Sequence, residues 1–113
     1  MVSISAEKTN DILILSIDGE IDASSSIHLD NELSTAINDN KKILIDCSKL
    51  DYISSAGLGV FMSYINDMEE RHIKMILFGM SNKVKNVFQI LGLDQLLKIV
   101  ETSEEANNLL NAV

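Results

Sequence analysis

Three apolar runs of strand length, each followed by a stretch with helical spacing, constrain this chain more than anything else in it. Residues 12–17 (Ile-Leu-Ile-Leu-Ser-Ile), 42–47 (Lys-Ile-Leu-Ile-Asp-Cys) and 73–78 (Ile-Lys-Met-Ile-Leu-Phe) are rich in aliphatic and β-branched side chains. They read as interior strands, the kind found in parallel sheets with helices laid over them. Between the first two, Ile27, Leu33, Ala36 and Ile37 recur at helical spacing, with Leu29 to one side of that stripe. Between the second and third, Leu58, Phe61, Tyr64, Ile65 and Met68 mark one face of a helix running to about Arg71, with Asn66, Asp67 and Glu70 opposite. After the third, Val84, Val87, Phe88 and Leu91 form another apolar face, and Gly92 stands where a helix-ending glycine belongs.

The ends complete the pattern. Residues 4–8 read as a short strand joined by the turn Thr9-Asn10-Asp11 to the first apolar run, which predicts an antiparallel hairpin. Residues 96–100 read as a last short strand. Thr102 or Ser103, followed by Glu104 and Glu105, then starts a terminal helix carrying Ala106, Leu109 and Leu110. The order β-β-α-β-α-β-α-β-α predicts an α/β domain with a mostly parallel sheet and an antiparallel edge hairpin. With 113 residues, no proline and no linker-like tract, the whole of 1–113 reads as one domain.

Composition removes several function classes. The formal charge of −8 argues against nucleic acid and anionic membranes, which reward clustered Lys and Arg, and leaves room for a partner with a basic surface. The N-terminus lacks the pattern of a signal peptide, and no apolar run approaches the ~20 residues of a membrane helix. The single cysteine, Cys47, cannot form an internal disulfide, which fits a cytoplasmic protein, and it reads as a small buried hydrophobe. Cys47, His28 and His72 lack any metal-ligand spacing, so neither a metal nor a cofactor is expected.

The chemistry concentrates in Asp51-Tyr52-Ile53-Ser54-Ser55-Ala56-Gly57-Leu58-Gly59-Val60, where the second interior strand gives way to a helix. A hydroxyl at that junction can cap the helix, accept a phosphate or act as a nucleophile. No serine here has the flanking glycines of a nucleophile elbow, and His28 and His72 read as surface histidines, so catalysis has little support. Gly57-Leu58-Gly59 opens like a dinucleotide fingerprint, but Met62 occupies the third glycine's place. Serine is a favoured N-cap, so capping is expected of Ser54 or Ser55. Gly57 and Gly59 in a first helical turn each cost ~1 kcal/mol against alanine. Their expected return is a bare helix start that another molecule can approach closely. Such a start also favours a phosphate through its free N–H groups and the helix dipole.

Together with Gly19-Glu20-Ile21-Asp22 after the second strand, this junction resembles that of the bacterial anti-sigma factor antagonists of the STAS domain family, and the resemblance covers essentially the whole chain. The family motif usually reads Asp-Ser-Ser/Thr-Gly-Leu-Gly. Ser54 stands in the aspartate's place, Ser55 in that of the phosphorylated serine and Ala56 in that of the second hydroxyl, while Gly57, Leu58 and Gly59 match. The resemblance implies a non-enzymatic switch. Unphosphorylated, it binds an anti-sigma factor that is also a serine kinase of histidine-kinase-like ATPase fold, and so frees the sigma factor. Phosphorylation of Ser55 breaks the complex, and a PP2C-type phosphatase restores it. Ser54 is a second candidate acceptor. Asp22 is expected beside the phosphoserine, and Ser81, Asn82 and Lys83 on the rim. The partner-binding surface that the resemblance implies comprises Asp22, Ser54, Ser55, Ala56, Gly57, Leu58, Gly59, Met62, Ser81 and Lys83. Val60, like Met62 at the edge of the apolar stripe, is a further candidate contact, whereas Phe61, Ile65 and Met68 read as core. Two alternatives stand beside this reading: a nucleotide- or ligand-sensing domain, and a constitutive STAS scaffold in another signalling or transport complex.

Overall fold

The computed structural model describes residues 2–111. Strands β1 (Val2–Thr9), β2 (Ile12–Ile21), β3 (Lys42–Ile53), β4 (Lys74–Phe78) and β5 (Lys98–Val100) form one sheet in the order β1-β2-β3-β4-β5. The first pair is antiparallel and the remaining three are parallel. Helices α1 (Ser26–Asp39), α2 (Ser55–Ser63), α3 (Ile65–Glu70) and α4 (Asn82–Ile90) lie in the crossovers, and α5 (Ser103–Asn111) follows the last strand.

Every parallel crossover steps the same way across the sheet. Right-handed connections therefore put α1 to α4 on one face. There Leu29, Leu33, Phe61, Met68, Val84 and Phe88 bury against Leu15, Ile17, Ile43, Ile45 and Leu77. Side chains alternate along a strand, so Leu44, Ile76 and Phe78 point to the opposite face, where Ala106 and Leu110 of α5 cover them in a separate cluster. The parallel β-α-β connections leave each strand-to-helix turn at the carboxyl ends of β2, β3 and β4, the edge where sites in this architecture form.

Several sequence expectations shift in detail. Leu29 is buried and belongs to the inward stripe with Leu33, Ala36 and Ile37, whereas Ile27 is 65 % exposed. Ile27 and Leu29 are two residues apart and so point to nearly opposite sides of a helix. The helix expected to run to Arg71 breaks at Tyr64, whose hydroxyl donates to the Asp30 carboxylate of α1. The first two interior strands, β2 and β3, run past their apolar cores, to Ile21 and Ile53, through register shifts at Ser16/Asp18 and Gly19/Glu20. The last strand begins at Lys98 instead of Leu96, because a 3-10 turn at Leu93–Gln95 takes up the chain after Gly92, whose φ of 74° ends α4. Thr102 caps α5 by accepting from the Glu105 N–H at 3.1 Å.

Candidate functional site at the start of helix α2

The extra length of β2 and β3 brings Ile21 and Ile53 into register at the carboxyl edge. One residue beyond Ile53, the Ser54 N–H donates to the Ile21 carbonyl at 2.8 Å. Ser54 is the N-cap of α2: its backbone is extended, its hydroxyl accepts from the Gly57 N–H at 3.2 Å, and its carbonyl accepts from the Leu58 N–H at 3.0 Å. Every polar group of Ser54 is thereby engaged, and the residue is half-buried.

Ser55 differs in each respect. It is the first residue of α2 and is exposed, and among the described residues its hydroxyl has no hydrogen-bond partner. The N–H groups of Ser55 and Ala56 are the first of the helix and lack an intrahelical acceptor. Exposed hydroxyl and free amides thus share one helix end.

The two glycines do different work. A Cβ on Gly57 would lie 2.7 Å from Ile53 Cγ1 and 2.9 Å from Ile21 Cγ2, inside contact distance of two buried side chains. Gly57 lets the helix settle onto the strand ends, which corrects the expectation that it clears space for an incoming molecule. Leu58 is likewise a correction as a surface contact, since it is fully buried in the main core. A Cβ on Gly59 would meet nothing within 4 Å, so this is the glycine that bares the surface. Ser55, Gly59 and Met62 follow at helical spacing (i, i+4, i+7), are all exposed and make one outward stripe. Met62 is 47 % exposed, and Val60 is half-buried beside it.

Asp22 directly follows Ile21, so the Ile21–Ser54 bond holds its loop against the start of α2. Its carboxylate accepts from the Ser24 hydroxyl at 2.8 Å and from the Ser25 N–H and hydroxyl at 2.9 Å each. These bonds, the one from Ser24 foremost, favour the ionised form and lower its pKa to about 2. Asp22 therefore carries a fixed negative charge at any physiological pH. Glu20 and Asp51, also exposed, reinforce the acidic character of this edge.

One strand over, Ser81 caps α4 by accepting from the Val84 N–H at 3.2 Å, and Asn82 and Lys83 are exposed in its first turn. Helix α4 packs on α2 through Phe61 and Phe88, whose ring centroids are 6.0 Å apart. Ser81 and Lys83 thus share the carboxyl edge with Ser55, with no hydrogen bond between them among the described residues. Cys47 is buried and its thiol pKa is pushed up to about 12, mainly by burial. Asp46 accepts from the Ser48 N–H and hydroxyl, capping a turn. His28 is exposed on α1, and His72, also exposed, turns the chain into β4 with a φ of 58°. Among the described residues no group of His, Cys, Asp and Glu is arranged to hold a metal, and no helix is long and apolar enough to cross a membrane.

The family model for the STAS domain matches residues 3–106. The chain belongs to the STAS domain family. Among curated relatives, an anti-sigma-B factor antagonist of Listeria monocytogenes is 28% identical over 102 residues, covering 89% of this chain and 90% of the relative. Among solved structures, an anti-sigma factor antagonist from Mycobacterium paratuberculosis superimposes with a TM-score of 0.90 at 17% identity, covering 99% of this chain and 96% of that one. The Bacillus cell fate determinant SpoIIAA in its phosphorylated form gives a TM-score of 0.71 at 24% identity, with 95% and 98% covered. These structures bear out the α/β fold of this STAS domain, and the Listeria relative is an anti-sigma-B factor antagonist.

Proposed function

We propose that this STAS domain is an anti-sigma factor antagonist switched by phosphorylation of Ser55. The observation that carries the reading is the division of labour between neighbouring serines: Ser54 is spent on the cap, while Ser55 is exposed with an unused hydroxyl. Unphosphorylated, the outward stripe of Ser55, Gly59 and Met62, flanked by Asp22 and by Ser81 and Lys83 at the rim, docks on an anti-sigma factor. That partner is a serine kinase of histidine-kinase-like ATPase fold.

Transfer of the ATP γ-phosphoryl group to Ser55 Oγ, with the hydroxyl proton leaving to a base of the kinase, adds a charge of roughly −1.5 to −2. The fold tolerates the group, because Ser55 is exposed with no side-chain hydrogen bond among the described residues, and the free amides of a helix start favour a phosphate. The docking surface does not tolerate it. The new charge joins the fixed charge of Asp22 and the acidic edge, and it fills the space that Gly59 leaves open. A PP2C-type phosphatase hydrolyses the phosphoserine and restores the binding form. The role is regulatory and non-enzymatic, in the cytoplasm.

The test is incubation with the cognate anti-sigma kinase and ATP, followed by intact-mass analysis of the wild type, Ser55→Ala and Ser54→Ala. One added phosphate on the wild type and on Ser54→Ala, and none on Ser55→Ala, supports the assignment. Full phosphorylation of Ser55→Ala sinks it.

A further inference from the structure

At the amino ends of the parallel strands, opposite Ser55, lies an apolar groove of about 420 Å³ between α3, the starts of β4 and β5, and α5. Ile65, Met68, Ile73, Met75, Leu97 and Leu109 line it, and Leu96 stands at its rim, 58 % exposed. Two more large apolar side chains sit at the same end of the molecule, where α4 finishes: Ile90 is 81 % exposed and Leu91 49 %. Three such residues within seven positions are more than the scattered exposure of an ordinary surface.

The charge distribution indicates what covers this face. Six of the nine basic residues, Lys8, Lys41, Lys42, Arg71, Lys74 and Lys98, stand at or next to the amino edge of the sheet. Seven acids, Glu7, Asp11, Asp39, Asp67, Glu69, Glu70 and Asp94, are interspersed with them, as the Lys42–Asp11 and Arg71–Asp67 pairs illustrate. The remaining surface has only Lys49, Lys83 and Lys85 to set against the other acids, and it holds nearly all of the net charge of −8. Two copies of a chain with this charge therefore repel each other least when these nearly balanced ends face one another. The groove itself is rimmed by opposite charges, Glu69 and Lys98, neither of which forms an ion pair within its own chain among the described residues.

We propose that this face joins two copies of the chain about a two-fold axis. Leu96 of each copy enters the groove of the other, and Glu69 of each faces Lys98 of the other. Such an interface is self-complementary, as a closed dimer requires, and mixed charge together with exposed apolar side chains suits it. Both Ser55 edges then point outward, so the association is independent of the phosphorylation switch.

Light scattering on the full chain after size exclusion, across a concentration series into the high micromolar range, tests this. The expected result is a twofold rise from the 12.5 kDa of one chain to that of a dimer. Leu96→Asp and, separately, Ile90→Asp should hold the mass at one chain; both positions are exposed, and circular dichroism will verify their folding. Glu69→Lys and Lys98→Glu should each weaken the dimer, and the double swap should restore it. A wild type that stays at one chain throughout, as it would if a different protein covers the groove, overturns the proposal. So does a dimer that survives Leu96→Asp, or a mass that climbs past two chains.

Discussion

The Ser54 amide donates to the Ile21 carbonyl at 2.8 Å, and this bond locks the end of one strand to the N-cap of the helix that follows its neighbour. Ile21 is followed by Asp22 and Ser54 by Ser55, so a single backbone contact sets a fixed carboxylate loop beside an exposed hydroxyl. Because the contact is backbone to backbone, side-chain substitution at Ser54 leaves it in place.

Ser54→Ala should therefore lose the cap and nothing else, at about 1 kcal/mol of stability. Ser55→Ala should change stability by less than about 0.5 kcal/mol, as expected of an exposed residue without partners. Urea denaturation of the two variants beside the wild type measures both. A larger loss at Ser55 than at Ser54 would contradict the assigned roles.

The glycines should respond in opposite directions. Alanine at Gly59 gains helix propensity, about 1 kcal/mol, with no steric conflict. Alanine at Gly57 gains the same propensity but overpacks Ile53 and Ile21, at about 1–3 kcal/mol, so the net effect is destabilising. Thermal melts would show Gly59→Ala above the wild type and Gly57→Ala below it.

Asp22 should titrate anomalously. Its folded-state pKa of about 2 lies below the ordinary 3.8, so its contribution to stability is present above about 3.8 and is lost as pH falls toward 2. Carboxyl NMR titration should find Asp22 still ionised at pH 3. Asp22→Asn, which keeps the acceptor oxygen, should remove that part of the acid dependence.

Tyr64 should ionise late. Burial first, and then its hydrogen bond to Asp30, raise its pKa above the ordinary 10.0. Its contribution is therefore present below 10.0 and is lost as pH rises through the raised value. Absorbance titration of the wild type against Tyr64→Phe should show that the transition missing from the variant has its midpoint above 10.0. The variant should lose about 1 kcal/mol with that hydrogen bond.

Cys47 should resist thiol reagents while the chain is folded, since burial disfavours the thiolate and raises its pKa to about 12. Dithionitrobenzoate should label it only after denaturation, at the rate of global unfolding. Fast labelling of the native protein would mean that the sheet face holding Cys47 opens locally.

Most of the architecture was legible because the interior strands are nearly continuous in apolar residues and the helices carry clear stripes. The places that escaped share a cause: they are set by tertiary contacts. In α1, Ile27 and Leu29 are equally apolar, and only the seating of Leu29 with Leu33 and Ala36 decides which points inward. In α2 the glycines look alike in sequence, and the proximity of Ile21 and Ile53 alone separates Gly57 from Gly59. The polar extensions of β2 and β3 were hidden because register shifts interrupt their alternation. The serine pair was visible as a site; that Ser54 caps while Ser55 stands free required the geometry.

Helix α5 rests on its own small cluster, across the sheet from the four helices that frame Ser55. Its detachment would expose Leu44, Ile76 and Phe78 but disturb none of the contacts that hold the α2 start. The molecule is therefore built of unequal cooperative units. In native-state hydrogen exchange, α5 amides should open at lower free energy than the amides of β2 and β3. One helix would then detach transiently while the Ile21–Ser54 bond and the Ser54 cap stay in place.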